Sequence, residues 1–173
     1  KDIVIEAGQK NPSALQYHFQ NLKGLLDAIR TRRRKQVQTK RAEMIAELER
    51  SKRMVKLRDL CELMILPSFL LARSDTKYRN YVMAFSFEIV TSRYSALDAA
   101  NKIGGGGESG AQLGTLLREA LPHLGDKTYA ARMDPAIRTC SAAMGSHFQQ
   151  KSPMSGPKAE FFLTSVLDAL EGM

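Results

Sequence analysis

The segment Ala7-Gly8-Gln9-Lys10-Asn11-Pro12-Ser13-Ala14-Leu15-Gln16-Tyr17-His18-Phe19 predicts the end of one helix, a tight turn and a short second helix. Gly8 can adopt a left-handed backbone angle at little cost, which closes a helix and turns the chain. Asn11 and Pro12 form a restart signal, because Asn caps free backbone N–H groups and proline fits the first helical position. This order of elements is that of a helix-turn-helix, which is used to read DNA.

The short second helix is predicted to have two different faces. Leu15 and Phe19 are four residues apart, so they share a face that we expect to point inward. The remaining positions carry hydrogen-bonding and charged groups suited to phosphates and base edges. The candidate DNA-binding residues are Lys10, Asn11, Ser13, Ala14, Gln16, Tyr17, His18 and Lys23. A plain helical hairpin that touches no nucleic acid is the alternative.

Residues 3 to 26 resemble the DNA-binding segment of TetR-type transcriptional regulators. The resemblance lies in an Ala-Gly pair, a Leu, a His-Phe pair and a Leu-Leu pair at the spacing of that family. The Ala7-Gly8 pair lies in the segment Ile3-Val4-Ile5-Glu6-Ala7-Gly8. Leu15 and the His18-Phe19 pair lie in Ala14-Leu15-Gln16-Tyr17-His18-Phe19. The Leu25-Leu26 pair lies in Lys23-Gly24-Leu25-Leu26. The resemblance covers only the start of the chain.

Two positions depart from the family pattern. Gln16 stands where the family has a phosphate-contacting Tyr, and Leu22 stands where it has a Lys with the same role. Tyr17 and Lys23 lie one place along, although adjacent helical positions point about 100° apart. The family pattern also implies a further helix upstream, so we expect the natural protein to begin before Lys1.

Length and charge agree with a nucleic-acid partner. The chain has 173 residues, enough for a sizeable core, and a formal net charge of +8, which favours a polyanion. An anionic membrane surface would be attracted too. No stretch approaches about 18 uninterrupted apolar residues and no signal-like segment opens the chain, so we expect a cytoplasmic protein that does not span a membrane.

The cysteines and histidines do not predict catalysis or metal binding. Cys61 and Cys140 lie far apart without a CxxC neighbour, so we expect reduced, buried thiols rather than a disulfide or redox sensor. His18, His123 and His147 show no ligand spacing, and the last two are expected to be partly exposed. With no serine, cysteine or metal constellation, we predict no enzyme activity, cofactor or metal.

A long helix is predicted from Leu22 to about Ser51, capped by Asn21. Its middle carries the basic run Arg30-Thr31-Arg32-Arg33-Arg34-Lys35, followed by Lys40 and Arg41, and these charges encircle the helix. They form either a solvated face or a nonspecific, salt-dependent contact with phosphates. A basic all-helical adaptor that binds an anionic membrane surface or a protein partner through this region is the alternative function.

The rest of the chain is predicted to be helical, because no segment alternates with period two. The helix that starts near Met54 is expected to end or kink at Pro67, and Asp134-Pro135 and Gly156-Pro157 are expected to start helices. A helix is predicted at 75–100, and it should be central to the fold. Further helices are predicted in a segment that ends at Pro122, at 134–150 and at 157–170. A flexible loop is predicted at Ile103–Gly110. The fold class is therefore all-α.

Two further residue sets follow from this body. The candidate effector-binding residues, on aromatic and Met-rich helices, are Met64, Phe69, Tyr81, Phe85, Glu88, Ile89 and Ser92. The candidate dimer residues, on the last two helices, are Ile137, Cys140, Ser141, Met144, Phe148, Phe162, Val166 and Leu170. The resemblance implies that these helices pair with those of a second subunit, while ordinary core within one chain is the alternative.

The predicted organisation has three parts: an incomplete helix-turn-helix head at 1–30, a basic connecting helix at 31–50, and an effector-binding and dimerisation body at 51–173. The resemblance implies a homodimeric regulator, most often a repressor, on a palindromic double-stranded operator. A small, largely apolar effector would favour an arrangement with low operator affinity.

Overall fold

A computed structural model describes residue 8 and residues 13–102 and 107–173. Within these residues every regular element is an α-helix, which confirms the all-α prediction. The helices are α1 Ala14–Phe19, α2 Leu22–Arg50, α3 Leu57–Ser74, α4 Thr76–Thr91, α5 Ala96–Lys102, α6 Gly107–Ala120, α7 Asp126–Gln149 and α8 Pro157–Gly172. No helix among the described residues is long and apolar enough to cross a membrane.

The chain divides into two compact units, residues 1–35 and residues 36–173. The larger unit has two apolar clusters. The first joins α3, α4, α7 and α8 around Phe69, Tyr78 and Phe148, and the second joins α2, α3, α6 and α7 around Ile45, Leu60 and Leu113. Helix α3 contributes to both clusters and contacts α4, α6, α7 and α8. Helix α7 also contributes to both clusters and contacts α3, α4, α5 and α8, so α3 and α7, rather than the predicted 75–100 helix, hold the central position.

Helix α3 does not end at Pro67, which lies in its interior. Proline has no N–H, so the carbonyl of Leu63, four residues earlier, lacks its helical donor. The Nε–H of Arg41 on α2 donates to that carbonyl at 3.1 Å. Arg41 is buried, so it fits neither of the two alternatives predicted for the basic segment, a solvated face or a contact with phosphates. A long-range contact thus offsets the local effect of the proline.

The predicted 75–100 helix is two helices, because the chain leaves helical geometry between Thr91 and Ala96. The guanidinium of Arg138 on α7 donates to the carbonyls of Val90 at 3.0 Å and Tyr94 at 2.7 Å, among others in this segment. Such charge-assisted bonds satisfy carbonyls that have no helical partner at the end of α4. The break is therefore stabilised by a side chain more than forty residues away.

The prediction that Asp134-Pro135 starts a helix is wrong, because α7 begins at Asp126 and contains Pro135. The Asp134 carboxylate instead accepts the N–H of Ala96 at 2.5 Å, which caps α5, and pairs with Arg138 at 2.8 Å. This pairing lowers the pKa of Asp134. The carbonyl freed by Pro135 belongs to Ala131, an exposed position where water can serve as donor.

The glycine-rich segment is more ordered than predicted at its C-terminal end. Gly107 to Gly110 form the first turn of α6, and Ile103 to Gly106 lie outside the described residues. Gly107 has a φ of 52°, in the left-handed region that favours glycine. The predicted end of this helix before Pro122 is confirmed, as is the start of α8 at Gly156-Pro157.

Candidate nucleic-acid interface

Helix α1 is a short helix of six residues whose polar side chains are exposed. Tyr17 has 84% of its surface exposed, Gln16 and His18 are also exposed, and Phe19 is half-buried. Ser13 is three residues from Gln16 and four from Tyr17, so it lies near each of them on the helix surface. The rings of Tyr17 and His18 meet edge to face, 4.9 Å between centroids. We call the exposed side chains of Gln16, Tyr17 and His18 the α1 face.

A tight turn joins α1 to α2. Gln20 has a φ of 63°, a left-handed angle that is unusual for a residue with a side chain, and the N–H of Asn21 donates to the Phe19 carbonyl at 2.7 Å. The Asn21 side chain then accepts the N–H of Gly24 at 3.0 Å, which confirms its predicted role as the cap of α2. A methyl group on Gly24 would overlap with the backbone carbonyl of Phe19. Only glycine fits this position without a shift of the turn.

The segment around this turn carries much of the positive charge of the protein. Residues 13–35 hold six Lys and Arg residues against one acid, Asp27, which gives +5 of the net +8. Lys23, Arg32 and Lys35 are exposed, while Arg30 pairs with Asp27 at 3.0 Å. This concentration of charge is the electrostatic pattern that polyanion binding requires.

The candidate DNA-binding residues are placed as follows. Lys10 and Asn11 lie outside the described residues, as does Pro12, and Ala14 is the first residue of α1. Gly8 has a φ of 66°, in the left-handed region predicted for it, and the residues on both sides of it lie outside the described residues. Leu22, at the position of a family Lys, has 51% of its surface exposed. Ser13, Gln16, Tyr17, His18 and Lys23 are all exposed.

The candidate effector-binding residues do not gather around one cavity. Phe69 is 1% exposed and lies in the first cluster, where its ring is near Phe148 and Phe162. Met64 and Tyr81 pack against the same cluster, and the ring of Phe85 lies 5.0 Å from that of Tyr81. In contrast to the buried Phe69, Glu88 and Ile89 are exposed to solvent. Ser92 lies beyond the end of α4, where its hydroxyl accepts the N–H of Tyr94.

The candidate dimer residues are mostly part of the core of one chain. Five of the eight are buried in the first cluster: Cys140, Met144, Phe148, Val166 and Leu170. Ile137, Ser141 and Phe162 are half-buried. Phe161, next to Phe162 on α8, is the large apolar side chain of these two helices that is most exposed, at 74%.

The cysteines and one histidine are buried. Cys61 and Cys140 are free thiols, as predicted, and burial raises the pKa of Cys61 to about 11 and that of Cys140 to about 12. His147 is only 7% exposed, contrary to the expectation of a partly exposed side chain. Its ring stacks on Phe162 at 3.9 Å and its Nε2 bonds with the Pro153 carbonyl at 2.9 Å. His147 does lie in the last turn of α7, near a helix end as predicted, but the rings of Phe148 and Phe162 cover it.

One cleft was not foreseen from the sequence. It has a volume of about 240 Å³ and lies between the C-terminal part of α2 and the start of α3. Glu62, which lines it, interrupts the apolar run from Leu60 to Ile65 of α3. A charged residue within an apolar run was the sequence feature that could have indicated this cleft.

Comparisons with protein families, curated proteins and solved structures found no match to this chain.

Proposed function

We propose that the chain is a DNA-binding transcriptional regulator of the TetR type, acting as a homodimeric repressor. The observation that carries the proposal is the exposure of Gln16, Tyr17 and His18 on a short helix that a tight turn joins to a long one. A short helix with a polar, exposed surface adds little to a core, whereas a major groove admits such a helix.

The chemistry of the α1 face suits base edges. A Gln amide both donates and accepts, so Gln16 can form a bidentate pair with adenine, and the Tyr17 hydroxyl and His18 imidazole add further hydrogen-bonding groups. Lys23 and the exposed cations of α2 would bind phosphates, which positions the helix without reading sequence. Base contacts then give selectivity and phosphate contacts give salt-dependent affinity.

A homodimer would present two such faces to a palindromic operator. Because most candidate dimer residues already lie in the core of one chain, we assign the interface to the outward side of α7 and α8, which includes Phe161. A small effector bound to the body would lower operator affinity only if it binds the two arrangements of the dimer unequally.

Selection of bound fragments from genomic DNA tests the proposal. We expect a short, nearly palindromic site, and we expect Gln16→Ala and Tyr17→Ala to reduce the preference for it by about 1–3 kcal/mol per lost base contact. Arg33→Ala should weaken binding to all sequences alike if Arg33 meets only phosphate. Tyr94→Ala is the matched control for Tyr17→Ala, because Tyr94 is 80% exposed but lies in the larger unit. It should leave the preference for the site unchanged.

Equal binding of all fragments, unchanged by the substitutions in the α1 face, would contradict the proposal. That result, together with binding to anionic vesicles or to a protein partner, would favour the basic adaptor. The positive segment at 30–41 lacks the opposing apolar face that an interfacial helix needs, which is why the regulator is preferred.

A further inference from the structure

The cleft between α2 and α3 has an apolar floor. Met44 and Leu48 contribute from α2, and Leu63, which is 2% exposed, contributes from α3. Its volume of about 240 Å³ lies below the range of about 300–1,000 Å³ that is usual for drug-sized ligands. A ligand for this cleft would therefore be small and would carry a short apolar part.

The polar lining of the cleft has a negative balance. Arg53 and Asp59 neutralise each other through two hydrogen bonds of 2.6 and 2.7 Å, and Asp59 also accepts the N–H of Lys56. Glu47 and Glu62 remain, and within the described part of the chain neither carboxylate has a hydrogen bond or a close ion pair, although Arg53 and Arg58 lie near enough to Glu62 to affect its charge. The local charge is thus opposite in sign to the net charge of the protein.

Glu62 is the better placed of the two acids to act on a ligand. It is half-buried, whereas Glu47 is exposed, and burial, followed by the nearby Asp59, raises the pKa of Glu62 against the opposite effect of Arg58 and Arg53. A partly desolvated carboxylate interacts more strongly with a cation than an exposed one does.

We propose that this cleft binds a small organic cation, a primary amine on a short apolar chain, with its ammonium group at Glu62 and its chain on Met44, Leu48 and Leu63. Each part of the ligand meets a matching part of the cleft. The site lies wholly within the larger unit, and its occupation does not depend on the proposed DNA binding.

Titration of the full chain with hexylamine, followed by the methyl NMR signal of Met44, tests the proposal. We expect the Met44 signal to shift with saturation, and the signal of Met144, which is buried in the first cluster, to stay in place. Hexanol and hexanoate, which share the apolar chain, should bind at least about fivefold more weakly, the ratio expected for one partly exposed ion pair.

Substitution gives the second measurement. Glu62→Gln keeps the side-chain shape and should weaken hexylamine binding about fivefold, while Glu160→Gln, at an exposed position on α8, should leave it unchanged. Equal binding of hexylamine and hexanol to the unaltered chain would overturn the proposal, and so would an unchanged affinity after Glu62→Gln. Both measurements are made without DNA, so their failure is separate from failure of the proposed regulator function.

Discussion

At the scale of single residues, helices α4 and α7 approach each other closely at Gly145. A methyl group on Gly145 of α7 would overlap with the hydroxyl of Ser86 on α4. The Ser86 hydroxyl is itself buried and has no hydrogen-bond partner in the described residues. The two helices thus meet at a glycine and a small polar side chain.

We expect Gly145→Ala to lower the free energy of unfolding by about 1–3 kcal/mol, because a well-packed site must shift to admit the methyl group. Gly114→Ala is the matched control, since nothing lies within 4 Å of its added carbon, and it should stabilise α6 by about 0.5–1 kcal/mol. Urea unfolding measures both. Equal effects of the two substitutions would contradict the packing described for Gly145.

The two cysteines should be inert in the folded protein. Their thiols are buried, with pKa values of about 11 for Cys61 and about 12 for Cys140, so the reactive thiolate is scarce near neutral pH. We expect both to react with a thiol reagent at least about a thousandfold more slowly than in denaturant, and with one common rate set by unfolding. Rapid reaction of either thiol under native conditions would contradict the burial of that thiol in the folded protein.

At the scale of elements, Pro67 and Arg41 should be energetically coupled. Pro67→Ala restores the N–H that the Leu63 carbonyl lacks, so the bond from Arg41 to that carbonyl becomes less important. We expect Arg41→Met to cost about 1–2 kcal/mol more in the parent chain than in the Pro67→Ala background. The loss of the other contacts of Arg41 is the same in both backgrounds, so it cancels when the two free-energy changes are compared.

The coupling is measured by urea unfolding of the parent, the two single variants and the double variant. Arg73→Met on the same helix, at an exposed position, is the control and should be additive with Pro67→Ala. Additive effects of Arg41→Met and Pro67→Ala would refute the account of the proline in α3.

The turn between α1 and α2 makes a second prediction at this scale. Gly24→Ala places a methyl group against the backbone carbonyl of Phe19, which cannot move without the turn. We expect shifted amide NMR signals for residues 16–25 and at least about tenfold weaker binding to the selected DNA site, with unchanged unfolding of the larger unit. Gly125→Ala, at the start of α7 with open space around it, should change neither. Unperturbed amides in Gly24→Ala would contradict the turn geometry.

At the scale of the whole molecule, local signals predicted part of the fold. The all-α class, the cap at Asn21 and the start of α8 at Gly156-Pro157 follow from the sequence because neighbouring residues determine them. The errors arose where distant residues decide. Arg138 holds the break before Ala96, and Asp134 caps α5 rather than its own helix.

The candidate nucleic-acid interface was likewise predictable only where neighbouring residues determine the structure. Exposure of Gln16 and Tyr17 follows from the short amphipathic pattern of α1, whereas the placement of Phe69 and His147 in the core depends on rings from other helices. Periodicity identifies an apolar residue without saying whether it lines a core, a pocket or an interface. The effector and dimer residues were therefore the part that the sequence could not resolve.

The central claim is that the α1 face lies against a DNA duplex, and photo-crosslinking tests it most directly. A photoreactive phenylalanine analogue would replace Tyr17 in one variant and Tyr94, similarly exposed in the larger unit, in another. We predict crosslinks from position 17 to bases within the selected site, and none from position 94. Absence of crosslinks from position 17 on DNA that the protein demonstrably binds, or equal crosslinking from both positions, would contradict the account.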